Sequence, residues 1–223
     1  PAGVRYLLPE GKVMKEILSV GFPAIIMQAV GSFLTYGVNV IFGTLSASAV
    51  TAYGVYYKIQ QFAFFAAFGM NNAMIPVIAF NYGSGDKERV RAGIRWGMID
   101  TLVIIGVCLV VLEGFSSQIV GIFALTQQTL TLCTRAVRII ALGYLFAGAN
   151  IAYQGVFQAL GRGVPSMVLC LVRQLLAALP LAWLFTLLPN PEVWCWAAFP
   201  VAEGIGLLVA LVQRKRILPD VLN

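Results

Sequence analysis

Long apolar stretches alternate with short polar ones along the chain. A helix crossing a hydrocarbon core needs about 20 apolar residues. Six stretches approach or exceed that length, at about 17–42, 50–80, 94–112, 130–160, 164–188 and 193–212. The second is long enough to tilt or to project beyond the bilayer. A short amphipathic stretch, Phe115 to Leu125, is read as lying at the interface. Turn-rich connections separate the spans: Gly83-Ser84-Gly85-Asp86, Gly161-Arg162-Gly163 and Pro189-Asn190-Pro191. Pro165 suits a first helical turn. The pattern predicts an all-α membrane protein, a six-helix transmembrane bundle in which residues 1–223 form one unit.

Polar residues inside the spans recur at helical spacing, so they share faces. Gln28, Ser32, Thr35 and Asn39 mark one face of the first span. Asn150, Gln154 and Gln158, each four apart, mark the fourth. Tyr53, Tyr57, Gln61, Phe64 and Phe68 form a stripe on the second that is polar outside and aromatic deeper. One such stripe is explained by interhelical hydrogen bonding. Three point to a shared wet cavity. Lys58, next to Tyr57 and near Gln60 and Gln61, is read as part of its wall, against the simpler alternative of snorkelling to the interface.

Composition supports lipid as the surroundings. The chain is 60% hydrophobic and 11% charged, with a mean hydropathy of +0.86, whereas soluble domains are about 45–50% apolar and about 25% charged. Histidine is absent, which removes Ser–His pairs, histidine general bases and histidine metal ligands. Cys108, Cys133, Cys170 and Cys195 fit no zinc or redox spacing and are read as small apolar residues in the spans. The net charge of +6 lies between the apolar runs, a membrane-loop pattern and not a nucleic-acid surface. Arg5, Lys12 and Lys15 precede the first span; Lys87, Arg89, Arg91 and Arg95 follow the second; Arg162 follows the fourth; Arg214, Lys215 and Arg216 follow the sixth. The opposite loops are poor in basic residues, with only Arg135 and Arg138 close to one of them. The positive-inside rule therefore predicts both ends on the cytoplasmic side of the cell membrane. Arg135 and Arg138 are expected to anchor the fourth span at the outer headgroups, and Trp194 and Trp196 to form an aromatic belt.

Charges within spans cost about 2.5–3.5 kcal/mol on insertion scales. Arg173 lies about 13 Å beyond Val164, Glu203 about 13 Å before Val212, and Asp100 about 9 Å beyond Ile94, at 1.5 Å per residue. The short turn between the fifth and sixth spans makes them neighbours. An Arg173–Glu203 pair is expected, with Asp100 close enough to influence it, either as a structural lock or as a coupling group.

Several fragments, in order, carry a family resemblance: Gly21-Phe22-Pro23 with Gln28; Ala52-Tyr53-Gly54; Lys58-Ile59-Gln60-Gln61-Phe62; Phe68-Gly69-Met70-Asn71-Asn72-Ala73; Pro76 and Asn81-Tyr82-Gly83; Phe157-Gln158-Ala159-Leu160-Gly161; Arg173-Gln174 with Pro180; and Phe199-Pro200-Val201-Ala202-Glu203. From Gly21 onward the chain resembles the carboxy-terminal half of a multidrug and toxic compound extrusion (MATE) transporter. The resemblance implies a twelve-helix antiporter of two six-helix lobes, with a substrate cavity between them and export driven by inward sodium ion or proton flow. It implies no bound cofactor beyond that coupling cation, and as partners the bilayer, a small organic substrate and an amino-terminal six-helix lobe. Some family members carry acidic residues on the equivalents of the first and fourth spans. Here no Asp or Glu occurs between Glu16 and Asp86 or between Glu113 and Glu192, so that cation site does not carry over, and the missing lobe is the alternative place for a coupling carboxylate. The opening at Pro1, not methionine, is read as part of a longer protein.

The expected function is secondary active export of drug-like or other small organic compounds. A lipid or oligosaccharide-lipid flippase is the alternative within transport; a wide basic cavity would favour it, whereas amides and aromatics suit drug-sized amphiphiles. An intramembrane enzyme lacks the histidines or matched aspartates it would need. A helper subunit without a pathway would not need polar stripes on several spans.

Overall fold

The computed structural model describes residues 10–222, apart from the side chains of Glu16, Ser19, Val20 and Leu222. Arg5 and Pro1, used above, lie outside the described residues. The described chain is helical throughout: α1 Gly11–Gly43, α2 Ala47–Gly83, α3 Lys87–Gly121, α4 Gln127–Ala141, α5 Tyr144–Ala159, α6 Gly163–Leu171, a π-helical stretch Val172–Ala177, α7 Ala178–Phe185, α8 Pro191–Trp194, a 3-10 turn Cys195–Ala197 and α9 Ala198–Leu222. Five continuous helical segments are long and apolar enough to cross a membrane, and α4 with α5, bent by 53°, meets the same measure when the two are taken together.

Local chemistry sets several of the ends. The Ser46 side chain accepts from the Ala49 amide at the start of α2, Asp86 from the Arg89 amide at the start of α3, and Thr126 from the Thr129 amide at the start of α4, each satisfying a donor the first turn leaves unpaired. Gly85 (φ +77°) and Gly161 (φ +72°) supply the left-handed residues of the tight turns that reverse the chain.

Two features differ from the sequence expectation. The fourth span is not one helix over 130–160 but two, because Gly143 brings its backbone against α9: a Cβ there would stand 2.7 Å from Pro200 Cα. At Phe115 (φ −122°, ψ 18°) the backbone leaves helical geometry, so α3 is two helices joined at a kink, and the short stretch read from Phe115 begins at that break. Trp196 is not in an aromatic belt. It is fully buried, edge-on to Phe42 at 4.7 Å, and its indole N–H donates to the Glu192 carbonyl at 2.7 Å; Trp194 is exposed.

The core has two parts. One gathers Phe42, Tyr53, Tyr56, Ile105, Val137, Tyr144 and Trp196 between α1, α2, α3, α4, α5 and the start of α9. The other gathers Met74, Ile78, Val90, Phe157, Leu169 and Ala210 at the opposite end of the bundle. Large apolar side chains also cover the outside, among them Phe22, Phe62, Phe80, Val103, Trp183 and Leu208. An outside of this kind is stable against lipid and not against water.

Candidate functional site

One cavity of about 590 Å³ opens into the bundle, walled by α1, α2, the α4–α5 bend, the π-helical stretch, α7 and α9. Its α2 wall carries Tyr53, Tyr56, Tyr57, Gln60, Gln61, Phe64, Phe65, Phe68 and Asn72, which recur every three or four residues and so face one way. Gln28 and Ser32 line it from α1, Tyr144 from α5 and Phe199 from α9. Tyr53 and Phe199 stack at 5.9 Å and Phe64 meets Tyr144 at 5.1 Å, which makes the aromatic wall a packed surface.

Arg173 and Glu203 also line this cavity. Arg173 Nη1 donates to Glu203 Oε1 at 2.6 Å, with side chains 5% and 17% exposed. The second carboxylate oxygen accepts from Asn150 Nδ2 at 2.8 Å, and the same amide reaches the Glu203 carbonyl at 2.9 Å. Both carboxylate oxygens of Glu203 thus accept a hydrogen bond. The approach depends on Gly206, where a Cβ would come 2.8 Å from Arg173 Cβ and 2.9 Å from Asn150 Nδ2. Arg173 and its neighbour Gln174 both line the cavity and both lie in the π-helical stretch Val172–Ala177. Pro180 follows closely, and its missing N–H removes an α-helical bond to the Leu176 carbonyl, a local reason for the wider turn.

The candidate residues therefore divide. Gln28, Ser32, Tyr57, Gln61, Arg173 and Glu203 surround the cavity. Lys58 does not: it is exposed and points away, one helical step (about 100°) from Tyr57. Thr35 and Asn39 are half-buried and do not line the cavity, and the Thr35 hydroxyl donates back to the Gly31 carbonyl. Asn150 and Gln154 are buried behind the wall, with Asn150 acting through Glu203. Gln158 is exposed and donates to Ser166 Oγ at 3.1 Å. Asp100 is exposed on α3, which contributes nothing to the cavity, so it does not belong to the inner charge layer. Tyr56, Asn72, Gln174 and Phe199 line the cavity without having been singled out for it; the three-and-four spacing on α2 carries Tyr56 and Asn72, but nothing local marks Phe199.

Asn150→Leu keeps the approximate side-chain shape and removes both donors to Glu203. It is expected to cost about 1–3 kcal/mol of stability. Thermal unfolding of the purified protein checks this, and an unchanged midpoint would mean that the Glu203 carboxylate finds another donor once Asn150 is gone.

The family model MatE matches residues 23–184. "Multidrug export protein MepA" of Staphylococcus saprophyticus is 25% identical over 221 residues, covering 97% of this chain and 48% of the relative. The protein of the same name from Staphylococcus haemolyticus is 26% identical over 170 residues, 76% of this chain and 37% of the relative. The chain spans about half the length of the curated relatives it matches. Among solved structures, an outward-facing multidrug resistance MATE family transporter of the MOP superfamily superposes with a TM-score of 0.90 at 18% identity, over 99% of this chain and 50% of that one. An inward-facing counterpart gives 0.78 at 19% identity, over 96% and 51%. A MOP superfamily transporter from Pyrococcus furiosus, described as having a binding pocket of reverse polarity, gives 0.88 at 18% identity, over 99% and 50%. The fold is that of one half of these transporters.

Proposed function

The chain belongs to the MatE family, and on that footing we propose that it is the carboxy-terminal six-helix lobe of a secondary antiporter. The whole protein exports drug-like or other small organic compounds, driven by inward sodium ion or proton flow, with an amino-terminal lobe closing the other side of the cavity. The observation that carries this reading is the cavity of about 590 Å³, a size and lining typical of sites for small organic molecules. Its walls are aromatic and amide-bearing, and its one positive charge is paired with Glu203. That balance fits amphiphilic small molecules better than the strongly anionic headgroups a lipid-linked oligosaccharide flippase must carry. Glu203, held by Arg173 and Asn150, is the carboxylate in this lobe best placed to respond to a cation or a substrate entering the cavity.

The test fills the cavity. Ser32 lines it and is exposed there, so Ser32→Trp in the full-length protein is expected to abolish drug efflux from cells while membrane abundance stays near wild type. Ser32→Thr, which adds only a methyl group, is expected to retain it. Full efflux by the Trp variant would end the reading.

The orientation has its own check. Cysteines introduced as Lys87→Cys and Lys215→Cys are expected to be shielded from an impermeant thiol reagent in intact cells, and Asn190→Cys to be labelled. Labelling at position 87 from outside would reverse the topology.

A further inference from the structure

We propose that the cavity selects elongated aromatic compounds that carry an uncharged hydrogen-bonding group at each end, with a collar of amides taking one end and Asn72 the other. The inference rests on the reading of the cavity as a transport site and adds which substrates it takes. Four amides form the collar: Gln28 from α1, Gln60 and Gln61 from α2, and Gln174 from the π-helical stretch, all lining the cavity. Gln28 stands fifteen residues before the end of α1 at Gly43, and Gln61 fourteen after the start of α2 at Ala47. The chain reverses over residues 44–46, so the two are level. The third wall meets them there. Gln174 Nε2 donates to Cys170 Sγ at 3.2 Å, and that sulfur lies 4.0 Å from the carbonyl oxygen of Met27, next to Gln28.

Asn72 lies on the same continuous helix as Gln61, eleven residues further on, or about 16 Å along the axis at 1.5 Å per residue. It too lines the cavity. Between the two levels Phe65 and Phe68 line it and are exposed, whereas Phe64 is buried. The order along this wall is therefore amide, aromatic, amide. Two exposed phenyl rings suit a planar ring system stacked or set edge-on against them. Charge does not interrupt the pattern. Among the described residues the lining holds one cation and one anion, Arg173 and Glu203, and these pair with each other.

The amides are free to bind. Among the described residues no hydrogen bond engages the side chains of Gln28, Gln60, Gln61 or Asn72. Gln28 and Asn72 are exposed, and Gln60 and Gln61 half-buried. Each amide offers two donors and one acceptor oxygen, so a hydroxyl, which both gives and accepts, satisfies either end. A compound with such a group at one end only exchanges water for protein at that end. At the other it covers an amide with an apolar ring, and a polar group covered without a partner costs more than an ordinary hydrogen bond contributes. A rigid rod of two rings, met by amide side chains reaching in from both levels, spans the gap between them.

The experiment measures binding of two fluorescent stilbenes to the purified full-length transporter, a readout that needs no transport. One carries a para-hydroxyl on both rings, the other on one ring only. Wild type is expected to bind the dihydroxy compound about tenfold more tightly. Asn72→Leu should lose that preference and bind the two alike, whereas Asn72→Gln, which keeps the amide, should retain most of it. Phe68→Leu should weaken both compounds and leave their ratio unchanged. Comparing that ratio between wild type and variant cancels partition into detergent and any change in overall stability. Equal binding of the two compounds by wild type, or an undiminished preference in Asn72→Leu, would overturn the proposal. So would a wild type that binds neither compound; the efflux comparison with Ser32→Trp would still decide the transport reading on its own.

Discussion

Arg173→Leu alone and Glu203→Leu alone are each expected to lower membrane abundance of the full-length protein sharply, and the two together to restore it. Removing one member of a buried ion pair leaves the other charge uncompensated, at a cost of about 3–5 kcal/mol. Arg173 is the more enclosed partner at 5% exposure, so Glu203→Leu should be the worse single change. Glu203 faces the cavity and reaches some solvent at 17%, which places the Arg173→Leu cost toward the lower end of that range. Two apolar residues of similar length remove both desolvation penalties, and such replacements are often neutral or stabilising. Efflux separates the roles. If the pair takes part in transport, the double variant is abundant and inactive. An abundant and fully active double variant would reduce the pair to a lock between the π-helical stretch and α9.

Gly143→Ala is expected to be the most damaging of the conservative helix substitutions. The added methyl would stand 2.7 Å from Pro200 Cα and 2.9 Å from Pro200 Cβ, and neither a backbone atom nor a proline ring rotates out of the way. Overpacking of this kind costs about 1–3 kcal/mol and occasionally more. The damage should extend to transport, because Gly143 and its neighbour Tyr144 both line the cavity and the bend they form sets the wall. Gly54→Ala is the control. No atom lies within 4 Å of a Cβ there, and Ala favours a helix over Gly by about 0.8–1.0 kcal/mol, so this change should be neutral or stabilising. Thermal unfolding of the purified variants compares the two; equal midpoints would mean that the α5–α9 contact yields easily.

The spans and the cavity were legible to different degrees. Apolar length located the five continuous long helices and the bent α4–α5 pair, since a membrane helix is marked by length and composition. The α2 stripe was readable because one straight helix preserves its period, so Tyr57 and Gln61 face where their spacing puts them. The α5 stripe was not, since the bend at Gly143 turns that helix and puts Asn150 and Gln154 behind the wall. Lys58 failed for a simpler reason: sequence neighbours on a helix point about 100° apart, so adjacency to Tyr57 said little about its direction.

Taken alone, the sequence determined that the chain is helical, that it crosses a membrane, which residues share a helix face, and that Arg173 and Glu203 need partners. Each of these follows from local spacing or from the cost of charge in lipid. Only the tertiary structure decided which faces meet. It joined Arg173 and Glu203 across 30 residues and added Asn150 from 53 residues away. It buried Trp196 and turned Asp100 outward. Those outcomes depend on close approaches at Gly143 and Gly206, where backbone contact between helices distant in sequence sets their rotation, and no local period encodes that rotation.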